Sequence, residues 1–209
     1  MKLHSMLAGA LLAGALLAGA AVQAATFTIT GGTPYTLPVV GGWKMFDPDP
    51  AAPGLSAGDS VQRNGVLGLS GPGRVTFSLM GFEAGDTNQF LLDGDTLFTN
   101  KVPASTSVTR DLGAGLIGFA FKHVQGGTTV ANGASAGYHP SLALFQLSDT
   151  SVYALFNDGY RGDKDYDDMV VRMDVAPIPL PAAAWLIVAA IGGLGAVARR
   201  RPTAPVPAA

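Results

Sequence analysis

Between residues 25 and 176 apolar and polar side chains alternate in short runs, and Gly, Pro, Asn and Asp separate the runs. Alternation by two places every second side chain on one face, the pattern of a strand with one face buried. Residues 74–80 show it most clearly, with Val75, Phe77 and Leu79 on one face and Thr76 and Ser78 on the other. Residues 25–30 repeat it as ATFTIT, and residues 169–175 turn Met169, Val171, Met173 and Val175 toward a core. Further strands are predicted over 116–123, 142–147 and 151–156. Residues 89–92 and 96–98 flank Asp93-Gly94-Asp95, a strong hairpin turn. No stretch of this region sustains a helical period. About eight short strands in one domain predict an all-β fold, a two-sheet sandwich of jelly-roll-like type. Residues 46–58, rich in Pro and Asp, read as a long surface loop.

Both ends of the chain break the pattern. Residues 1–24 begin with Lys2, continue as an apolar run built on a repeated LLAGA unit, and finish with Val22-Gln23-Ala24. A positive start, an apolar stretch and small residues at this spacing predict a secretory signal peptide cut before Ala25 by signal peptidase. The alternative is an uncleaved N-terminal helix, and the small-residue site favours cleavage. At the other end Ile178, Pro179, Leu180, Pro181 and Ala182 precede an uncharged apolar run to Ala198, closed by Arg199, Arg200 and Arg201. As a helix this run spans about 25 Å, the short end for a bilayer crossing. Trp185 suits a headgroup region and the arginines a cytoplasmic stop. The two prolines hold the preceding peptide extended, in the form a processing enzyme grips. The predicted order is therefore signal peptide (1–24), β-sandwich cargo (25–176), C-terminal membrane segment (177–201) and a short tail (202–209). The cargo is placed outside the cytoplasm.

Charge and composition narrow the function. The cargo carries nine basic against fifteen acidic residues, a net charge of −6. That sign repels phosphates and argues against nucleic acid as a partner. Cysteine is absent, so disulfides, thiolate metal sites and thiol nucleophiles are excluded. An exported domain without disulfides often needs another staple, and a cation held by carboxylates is one candidate.

The sharpest polar cluster is NDGYRGDKDYDD, residues 157–168. Asp163, Asp165 and Asp167 alternate, Asp168 follows, and Asp158 lies just upstream. Carboxylates spaced by two in a loop can turn toward one point, and oxygen ligands at that density suit Ca²⁺. The spacing matches the first positions of an EF-hand, but Asp168 stands where that loop needs Gly and a strand follows where it needs a helix. The competing reading is a solvated acidic turn, relieved by Arg161 and Lys164. Tyr166 reads as a loop anchor packed into the sandwich, or as an exposed contact. Glu83, the only Glu, reads as a cap or a bond across the Gly81–Gly85 turn. His123 and His139 read as structural. Neither an H-E-x-x-H metalloprotease motif nor a P-loop is present, and no enzymatic activity is expected.

The C-terminal order of motif, apolar span and arginines resembles the PEP-CTERM class of sorting signals, in its V-P-L-P-A variant. Ile178 stands where that variant has Val, and eight residues follow the arginines where the family stops within a few. The resemblance implies sorting by an exosortase, a membrane-embedded cysteine transpeptidase of Gram-negative bacteria often encoded with exopolysaccharide genes. A second resemblance lies in residues 152–173 and 81–90. The run Asp163, Asp165, Tyr166, Asp167, Asp168 and the Gly-Phe-Glu-Ala-Gly segment are similar to a domain of unknown function. That domain is frequent in PEP-CTERM proteins and bacterial surface adhesins. It implies a β-sandwich with a calcium site and brings no catalytic activity. The expected protein is held by the inner membrane with its cargo in the periplasm, then sorted to the cell surface or an exopolysaccharide matrix. A structural or adhesive role is expected there. The alternative is a carbohydrate-binding module using Trp43, Tyr35, Tyr138 and Tyr160 as stacking faces, and the outsider is a polysaccharide-modifying enzyme.

Overall fold

The computed structural model describes residues 24–38, 52–134, 140–159, 165–178 and 190. The chain divides into two units, Met1–Pro177 and Ile178–Ala209, and the architecture below is that of the first. The expected signal peptide up to residue 23, motif residues Pro179 to Ala182 and Arg199 to Arg201 lie outside the described residues, as does the apolar span except Ala190. Among the described residues no helix is long and apolar enough to cross a membrane.

The cargo is all-β. Its strands are β1 (Phe27–Thr30), β2 (Thr33–Thr36), β3 (Ser60–Arg63), β4 (Val66–Leu69), β5 (Gly73–Gly81), β6 (Asn88–Leu92) and β7 (Asp95–Thr99). They continue as β8 (Ser107–Leu112), β9 (Gly115–Leu116), β10 (Phe119–His123), β11 (Thr128–Ala131), β12 (Ser141–Ser148), β13 (Ser151–Asn157) and β14 (Met169–Ala176). All pairings are antiparallel. A seven-stranded sheet runs β2-β3-β12-β13-β14-β5-β8, a four-stranded sheet β11-β10-β6-β7, and a three-stranded sheet β1-β4-β9.

The two smaller sheets and the large one share a single core, which gives the sandwich-like arrangement. Val75, Phe77 and Leu79 of β5, with Met169, Val171, Met173 and Val175 of β14, supply it from one side, as the alternation predicts. Phe90, Phe119, Phe121, Phe27, Leu67 and Leu69 meet them from the other. Ring pairs bridge the layers: Phe77 lies 5.6 Å from Phe90, and Phe121 stacks on Phe156 at 4.9 Å. Each buried Phe contributes on the order of 1.5–3 kcal/mol by burial, and such ring pairs add about 0.5–1.5 kcal/mol. The Asp93-Gly94 hairpin is also as expected: both residues have positive φ (52° and 91°) and Leu92 faces Asp95.

Two expectations change. The loop over 46–58 is not simply surface. Its described part packs on the second face of the large sheet, with Ala52 1% and Leu55 5% exposed. There they join Leu37, Val61, Ala143, Tyr153, Leu155, Tyr166 and Val170 in a second core. β13 explains this: every residue in it is buried, so both faces of the sheet must be covered.

The strand expected over 116–123 is divided between two sheets, β9 in one and β10 in the other, which is why three sheets form rather than two. The chain switches at Ile117-Gly118. Gly118 leaves room there for the Asp93 carboxylate, which lies where a Cβ would be. Asn132 satisfies the main chain at the switch. Leu67 N–H donates to Asn132 Oδ1 (2.8 Å), and Asn132 Nδ2 donates to Leu67 O (2.7 Å) and Ile117 O (2.8 Å). One side chain thus completes the hydrogen bonding where the two smaller sheets meet. Asn132→Ala should cost roughly 3 kcal/mol, because it orphans buried main-chain groups. Asn132→Asp should cost more, since a carboxylate oxygen would face two carbonyls. Urea denaturation checks both; a loss for Asn132→Ala within error of zero would remove Asn132 as the joint.

Candidate metal centre

The end of β5 and the approach to β14 form one corner. Val170 pairs with Gly81 and Val171 with Leu79, so Met80 is an extra residue in the β5 ladder. Beyond the ladder, Glu83 N–H donates to Asp167 O at 2.9 Å. This latch brings the Glu83 side chain to the acidic loop. The carboxylate oxygens of Glu83, Asp165 and Asp167 lie within 4.8 Å of one another. Oxygens on one Ca²⁺, at 2.3–2.6 Å from the ion, lie at most ~5 Å apart, so the three fit around a common ion.

Tyr166 shapes the loop from inside. Its φ is +67°, a left-handed conformation that costs an L residue about 1–2 kcal/mol. Its ring is buried in the second core, 5.4 Å from the Tyr35 ring, and its hydroxyl accepts a hydrogen bond from Ser141 Oγ at 2.9 Å. The anchoring role expected for Tyr166 is the one observed. Asp165 and Asp167 on either side of it converge on Glu83.

The three carboxylates differ in exposure. Glu83 is exposed, Asp165 half-buried, and Asp167 only 1% exposed. Asp167 Oδ2 is shut from water and receives no hydrogen bond among the described residues. The Asp167 carboxyl is pushed up to about 10, first by burial. The Asp165 charge and the bond a shared proton would allow between the two come next in that rise, followed by the charges of Glu83 and Asp168. Removing a buried carboxylate from water costs several kcal/mol unless an opposite charge or a proton compensates.

The other acids of the loop do different work. Asp158 N–H donates to Asp168 Oδ2 (2.8 Å), and Asn88 Nδ2 donates to Asp158 Oδ2 (3.0 Å). Asn88 N–H in turn donates to Asn100 Oδ1 (3.0 Å), and Asn100 Nδ2 donates to Asp86 O (2.8 Å). His123 Nε2 meets Asp86 Oδ2 at 2.9 Å, the structural use expected of it. This buried network pins the segment carrying Glu83 and sets Asp158 and Asp168 beside the centre. Asp163, Lys164, Arg161, His139, Trp43, Tyr138 and Tyr160 lie outside the described residues. Tyr35, one of the expected stacking faces, is half-buried against Tyr166.

Glu83 is the residue that sequence reasoning missed as a partner of the loop. Its uniqueness among fourteen Asp was the available signal. A second motif, Gly133-Ala134-Ser135-Ala136-Gly137, fits the Gly-x-Ser-x-Gly spacing of a hydrolase nucleophile elbow. That elbow joins a strand to a helix. Here Ser135, Ala136 and Gly137 lie outside the described residues. Three converging carboxylates with no imidazole in their group among the described residues suit cation binding.

No family model and no curated protein matches the chain. Among solved structures, a high-affinity mannose-binding lectin of Ralstonia solanacearum is similar at 18% identity and a TM-score of 0.30, over 54% of this chain and 91% of the lectin. A likeness that low carries no functional argument.

The raised Asp167 pKa fixes the sign of a pH effect. Between about pH 4 and pH 10 the folded chain keeps a proton on Asp167 that the unfolded chain has released, so without a cation stability should fall as pH rises across that window. Denaturation in chelator at pH 5 and pH 9 measures it, and Asp167→Asn should flatten the dependence. A wild-type profile that is flat, or rises, would contradict this assignment.

Proposed function

We propose that this chain is an exported structural or adhesive protein of a bacterial surface or exopolysaccharide matrix, with a jelly-roll-like cargo held by Ca²⁺ at Glu83, Asp165 and Asp167. The observation that carries the calcium reading is Asp167: a carboxylate 1% exposed, with an oxygen that receives no hydrogen bond among the described residues. Bound there, a cation neutralises the crowded charge and ties the segment after β5 to the loop that feeds β14. Asp168 adds negative charge beside it, and Asp158 is bonded to Asp168. Since Asp167 is buried and Asn88 and Asn100 tie the neighbouring segments together, the centre suits a structural ion better than a catalytic one. The structural reading is preferred to carbohydrate binding because Tyr35 is engaged with Tyr166. The order of apolar N-terminus, Pro motif, apolar run and arginines supports export and exosortase sorting, with signal peptidase, exosortase and the inner membrane as partners in maturation.

Calorimetry on chelator-stripped protein tests the ion. An ion that binds only the folded state adds ~2.7 kcal/mol at a hundredfold excess over Kd, worth several degrees at about 2–4 °C per kcal/mol. Calcium at ~1 mM or somewhat above should produce the shift, and Mg²⁺ much less. Asp165→Ala and Asp167→Ala should abolish the response, while Asp167→Asn should also stabilise the calcium-free form, because an amide is neutral without taking up a proton. No response at several millimolar calcium would leave the cluster as an acidic turn.

Sorting has its own test. Intact-mass measurement of native mature protein should show residues after the 178–182 motif removed, and replacing Pro179 and Pro181 by Ala should let the full-length form accumulate in the membrane. Retention of Arg199, Arg200 and Arg201 in mature protein would leave a plain membrane anchor.

A further inference from the structure

One ring joins the acidic corner to the far edge of the large sheet. In the order β2-β3-β12-β13-β14-β5-β8, β2 stands four places from β14, about 19 Å at the usual strand spacing. β2 is an edge strand paired with β3. Three of its four residues are exposed, and Tyr35 is the fourth, packed against the second core. The Tyr35 ring lies 5.4 Å from that of Tyr166. Tyr166 is 1% exposed and is also held by Ser141, the first residue of β12. A residue of the loop before β14 therefore reaches the strand at the opposite side of the sheet.

Asp165 and Asp167 flank that ring in the chain. With the ring seated, their carboxylates converge with that of Glu83 to within 4.8 Å. Asp167 Oδ2 is then closed from water and receives no hydrogen bond among the described residues. Seating the ring and crowding the charges are thus one movement of a three-residue segment. The left-handed backbone of Tyr166 (φ +67°) adds to what the ring contacts must overcome. A divalent ion removes the repulsion between the carboxylates, and it needs them where the seated ring puts them.

We propose that calcium binding at the corner and the seating of the Tyr35–Tyr166 pair are one coupled event. Ion occupancy then holds the edge strand β2 on the sheet, and Tyr35 is a positioning residue that sets the calcium affinity from outside the group of carboxylates. This rests on the reading of Glu83, Asp165 and Asp167 as a calcium site. Coupling of this kind is reciprocal: the factor by which the ion favours the seated pair is the factor by which the pair favours the ion.

The test uses the full chain, stripped with chelator and kept in mild detergent. Calcium chloride is titrated by isothermal calorimetry, and hydrogen exchange is followed by mass spectrometry with and without calcium. Tyr35→Ala should weaken calcium binding about fivefold or more, while Tyr35→Phe, which keeps the ring, should bind as the native chain does. Val130→Ala, in β11 of the four-stranded sheet, should lower the melting temperature and leave the calcium Kd unchanged. In the native chain, saturating calcium should slow exchange at Tyr35, Thr36 and Leu37 by the factor that Tyr35→Ala loses, and leave the edge strand β11 unchanged. Equal calcium affinity in the native and Tyr35→Ala chains overturns the coupling. So does Val130→Ala weakening the ion as much as Tyr35→Ala, or exchange in β2 that is indifferent to calcium. Should Tyr35→Ala not fold, exchange in the native chain decides alone. A native chain that binds no calcium overturns instead the calcium reading of the corner.

Discussion

The seven-stranded sheet has apolar side chains on both faces, and that constraint organises the domain. β13 has no exposed residue: Val152, Ala154 and Phe156 enter the main core, Tyr153 and Leu155 the second. Water must be kept from both sides of one strand. The smaller sheets cover the first face. The second is covered by residues that form little regular structure, Leu37, Ala52 and Leu55, with Tyr166 from the acidic loop. A hydroxyl of the sheet helps to fix that cover, Tyr153 donating to Pro53 O at 3.0 Å.

Tyr166 therefore links two demands that otherwise conflict. Its ring belongs to the cover of the sheet, while its neighbours are carboxylates crowded into a corner. A left-handed backbone at a bulky aromatic is tolerated only where surrounding contacts over-determine it, and such strain tends to gather at functional sites. Here the contacts are the ring packing against Tyr35 and the bond from Ser141. The hydrophobic effect holds the loop in a shape that electrostatics alone would oppose.

What was legible in the sequence follows from range. Alternation is a local property, so β5, β14 and the Asp93-Gly94 hairpin could be read from a few residues each. The acidic loop was conspicuous for the same reason, and Asp165 and Asp167 were found in it. Glu83 was not, because a main-chain bond between distant segments brings it to Asp167. The division of β9 from β10 was equally hidden. It depends on Asn132 reaching back to Leu67, and one polar residue in a turn leaves no periodic trace. The 46–58 loop misled because its Pro and Asp content describes how the backbone bends, whereas burial of Ala52 and Leu55 is decided by the sheet beneath.

β14 lies in the interior of the large sheet, paired along its length with β13 and β5. The acidic centre sits just before its first residue, and the chain leaves the domain just after its last. At ~3.3 Å per residue the strand separates the two by about 23 Å. Its hydrogen bonds lie across the strand direction. A tensile load between the exit and the acidic corner would run along β14, and the bonds on both sides would bear it in shear, all together, instead of opening one after another. Under a load applied where the chain leaves the domain, β14 is thus the strand best placed to carry mechanical force.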